Sequence, residues 1–374
     1  MCFRDILSTV QDDLPYFLGF SQFPGIGPVR FALLYKYFGS AKSAWNAPVS
    51  TLKKIKLGEK LSDEFDRFRK NTDLDAYVGL LDTLHIRAIT IFDPKYPRLL
   101  KQIPDAPFLL YVRGTRGKYP INLERTVAVV GTRSISHYGV EVTQKIVSDL
   151  VTAGCTIVSG MAYGVDAVAH KCALDAGGTT IAVLGCGVDV IAPPTNTNLY
   201  WEIIHSGRGA VISEMPLGLR PNKGLFPARN RIISGLCRGV VVTEGAEDSG
   251  ALITASRAAE QGREVFAVPG PITSPTSRGP AKLLKSGAKL VESAADVLDE
   301  LNITFMSSPT AQKLVRGDTK EEQRILTIIA SQRQHIDAIV RESGLTVDRV
   351  AAILTVLEIK GIAKDYGDKI YGLV

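Results

Sequence analysis

The chain has 374 residues, 45% of them hydrophobic, and 44 lysines and arginines stand against 38 acidic residues for a net charge of +6. That length allows two or three domains with a substantial core. No apolar run is long enough to span a bilayer and no signal-peptide pattern opens the chain, so a cytoplasmic protein without membrane contact is expected. The cysteines Cys2, Cys155, Cys172, Cys186 and Cys237 are scattered without a C-x-x-C pair, and the five histidines are equally dispersed. This spacing argues against a disulfide framework and against a zinc site, and neither metal nor cofactor is expected. The mild positive charge favours an acidic partner. The basic excess lies within residues 1–119, however, while residues 120–312 are close to neutral. A nucleic-acid site in the middle of the chain therefore has to come from the placement of individual arginines.

The first segment, residues 1–115, reads as a helical domain from about Leu14 to Leu84, followed by a connector. Phe23-Pro24-Gly25-Ile26-Gly27-Pro28 precedes a helical stretch from Val29 to Phe38. Glycine–apolar–glycine before a helix resembles the hairpin of SAM or helix-hairpin-helix modules, which bring backbone N–H groups to a DNA phosphate. A packing or protein-contact module fits the same residues. Asp93-Pro94-Lys95-Tyr96-Pro97-Arg98-Leu99-Leu100 reads as an extended, proline-punctuated connector.

Residues 116–304 alternate strands and helices. Thr126–Val130, Thr156–Val158, Thr180–Leu184, Ala210–Ser213, Val240–Thr243 and Val265–Val268 are short apolar runs. Such runs suit strands buried on both faces. Val142, Ile146 and Leu150, and later Ala167–Ala176 and Ala251–Gln261, carry helical periodicity between them. The pattern predicts an α/β, extended Rossmann-like fold with a mostly parallel sheet. A polar linker at 305–316 leads to residues 317–374, where helices at Lys320–Ala330, Ile336–Glu342 and Val347–Lys360 and a hairpin near Tyr366 give a winged-helix pattern. Its third helix has one arginine and almost no net charge, poor equipment for a phosphate backbone.

Ligands in open parallel sheets bind beyond the carboxyl ends of the strands. The first such end is Gly131-Thr132-Arg133-Ser134, with a glycine for close approach, two hydroxyls and a guanidinium fork. The second is Ser159-Gly160-Met161-Ala162-Tyr163-Gly164-Val165-Asp166, a glycine-containing helix start where amides suit an anion, Asp166 suits a cap and Tyr163 suits either a base or the core. Neither is a G-x-G-x-x-G dinucleotide loop, and no G-x-x-x-x-G-K-[ST] occurs. Next, the loop holding Arg220 and Lys223 runs into Phe226-Pro227-Ala228-Arg229-Asn230-Arg231. Pro227 suits the first turn of a helix, and arginines in that turn would face the positive end of the dipole, an arrangement that suits a bound phosphate or, more plainly, a solvated basic turn. The loop Glu244 to Asp248 ends at Ser249-Gly250, another helix start; its carboxylates lack a paired histidine or nucleophile elbow.

Taken in order, Ala128-Val129-Val130-Gly131-Thr132-Arg133, Val158–Asp166, Val183-Leu184-Gly185-Cys186-Gly187-Val188-Asp189, Phe226–Leu236, Ser249–Ala255 and Gly262–Gly270 resemble the DprA/Smf family of bacterial DNA-processing factors. The resemblance covers most of residues 120–295. It implies a non-enzymatic protein that binds and protects single-stranded DNA and helps load RecA onto it in natural transformation. It carries over a DNA site at Gly131, Arg133, Ser159, Gly160, Lys223, Phe226, Arg229, Asn230, Ser249 and Gly250, to which Thr132, Ser134, Tyr163, Gly164 and Arg231 belong by position. It also implies a homodimer through Lys282–Leu290, with Leu284 and Leu290 as the apolar candidates. Tyr163 stands where many members have arginine. The alternatives are a LOG-type nucleotide phosphoribohydrolase, whose P-G-G-x-G-T-x-x-E loop is replaced here by Glu244–Gly250, and a scaffold that binds only protein.

Overall fold

The computed structural model describes residues 3–55, 57–114, 123–222, 224–303, 319–331, 334–367 and 369–373. Residues 1–306 form one compact unit and residues 307–374 a second. Lys223 and the whole of the expected linker at 305–316 lie outside the described residues.

The first unit opens with helices α1 (Phe3–Gln22), α2 (Pro28–Phe38), α3 (Ala41–Trp45), α4 (Val49–Lys54), α5 (Glu59–Lys70) and α6 (Leu74–Thr83). They close on an aromatic core in which Phe20 stacks on Phe65 at 5.2 Å and Trp45 meets Phe65 edge-on at 5.3 Å. Next come β1 (Ile86–Thr90), the single turn α7 (Arg98–Lys101) and β2 (Leu109–Gly114). The alternating part follows: β3 (Thr126–Val130), α8 (His137–Thr152), β4 (Thr156–Ser159), α9 (Val165–Asp175), β5 (Thr179–Val183), α10 (Thr197–His205), β6 (Gly209–Ser213), α11 (Leu225–Gly235), β7 (Gly239–Val242), α12 (Gly250–Glu260), β8 (Glu264–Ala267), α13 (Arg278–Lys285), β9 (Lys289–Leu290) and α14 (Ala294–Glu300).

All nine strands join one sheet in the order β1-β2-β6-β5-β4-β3-β7-β8-β9. The run from β6 to β9 is parallel throughout, and β1 and β2 add an antiparallel edge. The central strands read as unbroken apolar runs because both faces are covered. Residues 127–130 of β3 are buried by α8, α9 and α14 on one side and by α11 and α12 on the other. The helical bundle does not stand apart from the sheet. Phe17, Phe31 and Trp45 share one buried cluster with Tyr111, Ala182 and Val211, so the division expected at 115/116 falls inside a continuous core. The stretch expected as an extended connector, Asp93–Leu100, runs into the turn α7 and lies between β1 and β2.

The second unit contains α15 (Lys320–Ser331), β10 (Gln334–His335), α16 (Ile336–Ser343), α17 (Val347–Ile359), β11 (Ala363–Asp365) and β12 (Ile370–Leu373), with the three strands in the order β10-β12-β11. This is a winged helix. On α17, Arg349 is bound by Glu321 at 2.7 Å, and Lys360 just beyond it is held by Glu322 at 3.0 Å. Val347, Val356 and Ile359 are exposed instead.

Inside the first unit His170 on α9 is completely enclosed, its Nδ1 2.6 Å from Thr180 Oγ1. Burial, seconded by the nearby Arg229 charge, pushes its pKa down from 6.5 to about 3. Between those values the unfolded chain takes up a proton that the folded chain refuses. The stability owed to neutral His170 is therefore complete above about pH 6.5 and is lost as the pH falls toward 3. Denaturant unfolding followed from pH 7 to pH 4 should show a shallower decline for His170→Asn than for the parent, by up to about 1.4 kcal/mol per pH unit. Parallel curves would assign the acid sensitivity to other groups.

Candidate nucleic-acid interface

β3 and β7 are neighbours whose connections diverge: the chain leaves β3 toward β4, β5 and β6, and leaves β7 toward β8 and β9. No connection crosses the carboxyl ends of such a pair, and ligands bind at this kind of switch point. A cleft of about 540 Å³ opens there. Gly131, Thr132 and Arg133 form one wall, Phe226, Arg229 and Asn230 of α11 a second, and Ser249 and Gly250 at the start of α12 a third. Eight residues expected from three separate stretches of sequence thus meet in one place.

Their roles differ. Arg133 is exposed, makes no salt bridge among the described residues, and lays its guanidinium 5.4 Å from the centre of the half-buried Phe226 ring. A cation over an aromatic face is attracted by the ring quadrupole, and an exposed guanidinium keeps donors for an anion. Ser249 caps α12 by accepting the Ala251 amide at 3.3 Å, while Gly250 is open, with nothing within 4 Å of where a Cβ would stand. The side chain of Asn230 bridges α11 to α12, accepting from Arg229 Nε at 3.2 Å and donating to the Gly250 carbonyl at 3.4 Å.

Arg229 is a floor residue rather than an open contact. It is 5% exposed, and one of its terminal nitrogens donates to the carbonyls of both Gly160 and Val183. The helix begins at Leu225, so Arg229 to Arg231 occupy its second turn, not the first turn expected from Pro227. The dipole argument for a phosphate there fails, because the effect fades beyond the first turn. Asp166 is buried as well, at 6% exposure. Desolvation raises the Asp166 pKa and lowers that of Arg229, and the charge of each partner opposes the shift of the other.

The second strand end is built for this pair, not for a ligand. The amides of Gly160 and Ala162 donate to Asp166 Oδ2 at 3.1 and 3.3 Å. A Cβ on Gly160 would lie 2.6 Å from the Arg229 guanidinium, so a side chain there would expel it. Ser159 is buried with its hydroxyl on the Val129 carbonyl at 2.7 Å. The expected anion nest at Ser159 and Gly160 is therefore filled by the protein's own carboxylate. Gly164 serves as the N-cap of α9, whose first amide, Val165, donates to the Thr132 carbonyl at 3.1 Å. Tyr163 is 44% exposed beside the cleft without lining it, and Ser134 is exposed with its amide on Thr132 Oγ1.

Arg231 leaves the cleft altogether. It is 7% exposed, ion-paired to buried Glu214 and to Asp105, and donates to the Asp105 carbonyl at 2.6 Å. It ties α11 to the segment after α7. Sequence reasoning passed over the electrostatic influence of Asp166 and Arg229 on each other, because 63 positions separate the two residues and no local spacing links them. The cleft's second carboxylate, exposed Asp248, comes from the loop whose carboxylates the sequence reading found without a paired histidine. With Arg229 offset by Asp166, Arg133 is the one uncompensated cation among the described residues that line the cleft.

The family model of DNA recombination-mediator protein A matches residues 87–302, and that of the DprA winged helix domain matches residues 309–366. Protein Smf of Synechocystis sp. is 34% identical over 93% of this chain and 95% of its own length. The crystal structure of DNA processing protein A from Streptococcus pneumoniae, 37% identical, superposes with a TM-score of 0.66 over 78% of this chain and 97% of that one. DNA processing protein A from Helicobacter pylori, reported for its single-stranded DNA binding mode, is 27% identical, with a TM-score of 0.52 over 60% of this chain and 98% of that one.

Burial raises the pKa of Glu214 and the Arg231 charge opposes the rise. Removing one partner of such a pair leaves the other unpaired in the interior. Arg231→Ala should therefore lower the unfolding free energy by about 3–5 kcal/mol in urea titration, and the double variant Arg231→Met, Glu214→Leu should recover most of it. A loss below about 1 kcal/mol, the size of a surface pair, would show that the contact carries no such burden.

Proposed function

The chain belongs to the DNA recombination-mediator protein A (DprA/Smf) family, and from that premise we propose that it binds single-stranded DNA in the cleft between β3 and β7. The observation that carries this reading is Arg133 resting on Phe226 at the cleft mouth. One side chain answers phosphate and the other answers a base. Phe226 is half-buried inside a concave site, so a base reaches it only when unpaired and unstacked. A duplex keeps its base faces covered and offers phosphate alone.

The same walls support a binding role over a catalytic one. Asp166 is buried and occupied by two amides, and Asp248 is exposed in a turn without a partner histidine. That arrangement supplies no acid–base pair. The reading extends to handing the strand to RecA in transformation or recombination, in the cytoplasm, as the family implies. No helix among the described residues is long and apolar enough to cross a membrane. It extends also to a homodimer through Lys282–Leu290. Leu290 is 49% exposed on β9, the last strand of the sheet, whose outer side has no strand partner, whereas Leu284 is partly buried.

Two measurements test the proposal. Affinity for an oligonucleotide should fall steeply with salt, and Arg133→Ala should weaken binding of all sequences and flatten the slope of log K against log salt by about 0.7 per lost phosphate contact. Phe226→Ala should cost about 1–3 kcal/mol on a normal strand and much less on an abasic one. Equal affinity for duplex and single strand, or a flat salt response, would remove the reading. Separately, Leu290→Glu should give a folded monomer by light scattering, and a persistent dimer would move the interface elsewhere.

A further inference from the structure

Glu244 follows directly on β7, and its carboxylate is almost wholly buried, at 2% exposure. A buried carboxylate needs donors, and three are supplied. The Ser136 amide donates to Oε2 at 2.9 Å, the Ser136 hydroxyl to Oε1 at 2.7 Å and the Thr276 hydroxyl to Oε1 at 2.8 Å. The main chain of the same residue is engaged too: the Thr132 amide donates to the Glu244 carbonyl at 2.8 Å. The loop that carries Arg133 is thus fastened on both sides, at Thr132 and at Ser136, to one residue of a neighbouring strand. Gly139 lets α8 approach this closely, because a Cβ there would stand 2.0 Å from Glu244 Oε2. Through Thr276 the carboxylate also holds the loop after β8, which is joined to the turn after β7 by the Gly245 amide on the Thr276 carbonyl at 2.7 Å.

We infer that Glu244 is a positioning residue for strand binding: it touches no DNA and acts by fixing the Arg133 loop against the wall formed by the turn after β7. An exposed arginine on an unfastened loop would lose orientation toward phosphate, and ordering it at the moment of binding would cost affinity. The inference rests on the single-strand reading above for its consequence, while the fastening itself is testable apart from DNA.

The experiment compares Glu244→Ala, Glu244→Gln and Gly139→Ala in the full chain, each alone and combined with Arg133→Ala. Binding is measured with a fluorescent single-stranded oligonucleotide and loop protection by amide hydrogen exchange. Glu244→Ala should weaken binding about tenfold, comparable to the loss of one charge-assisted contact. In the Arg133→Ala background the same change should have almost no further effect, since it acts through that arginine. Glu244→Gln keeps an acceptor for both hydroxyls and should fall between the parent and alanine. Gly139→Ala, which displaces the carboxylate without changing it, should reproduce the alanine effect. Exchange should rise in residues 132–140 and 274–279 and nowhere else in the sheet. Losses that multiply with Arg133→Ala, or unchanged exchange in 132–140, would overturn the inference. Failure of the parent to bind single strands would sink the single-strand reading alone, because the exchange result would still decide whether Glu244 fastens the loop.

Discussion

The cleft depends on one buried guanidinium. Arg229 forms its floor with Asp166 buried nearby, and a charge left without its partners at either position would cost several kcal/mol in such surroundings. Around this pair the ends of β4 and β5 and the second turn of α11 are drawn together. Arg229 binds the carbonyls of Gly160 and Val183, and Asp166 collects the amides of Gly160 and Ala162. Carbonyls and amides left over where strands end are thereby satisfied from within. The walls above can then be left free to face solvent and ligand.

Much of the frame was legible in the sequence because its cause is local. A strand covered on both faces has to be apolar throughout, and β3 through β8 declare themselves in that way. The helices between them show a 3.6-residue period for the same reason. Among the strands that escaped notice are β1 and β2. Ile86-Arg87-Ala88-Ile89-Thr90 mixes exposed and buried positions without strict alternation, as an edge strand permits. Leu109-Leu110-Tyr111-Val112 is a short apolar run that a buried helix would share. The union of the helical bundle with the sheet was likewise invisible, since it joins residues far apart in the chain, such as Phe17 and Val211 in one cluster.

For the cleft, residue type was legible and residue role was not. Arg133, Arg229 and Arg231 look alike in sequence, yet one faces solvent, one holds the floor and one pins a distant segment. What separates them is the company of Asp166, Glu214 and Asp105, which no spacing rule reveals. Glycines were misread in the same way. Gly160 was expected to admit a phosphate, and it admits a guanidinium from its own chain. In the second unit the sequence-level doubt about α17 has a physical form: Arg349 and Lys360 are both held by glutamates of α15.

The contact between Arg133 and Phe226 bears on time as well as on strength. A guanidinium held against a ring has already shed part of its water, and it need not be stripped bare when a phosphate arrives. Engagement becomes an exchange of one neighbour for another, and the reverse step restores the original neighbour. Exchanges of this kind favour brief, repeated residence over permanent capture. On the single-strand reading proposed above, rapid turnover of each nucleotide contact is as useful as tight holding.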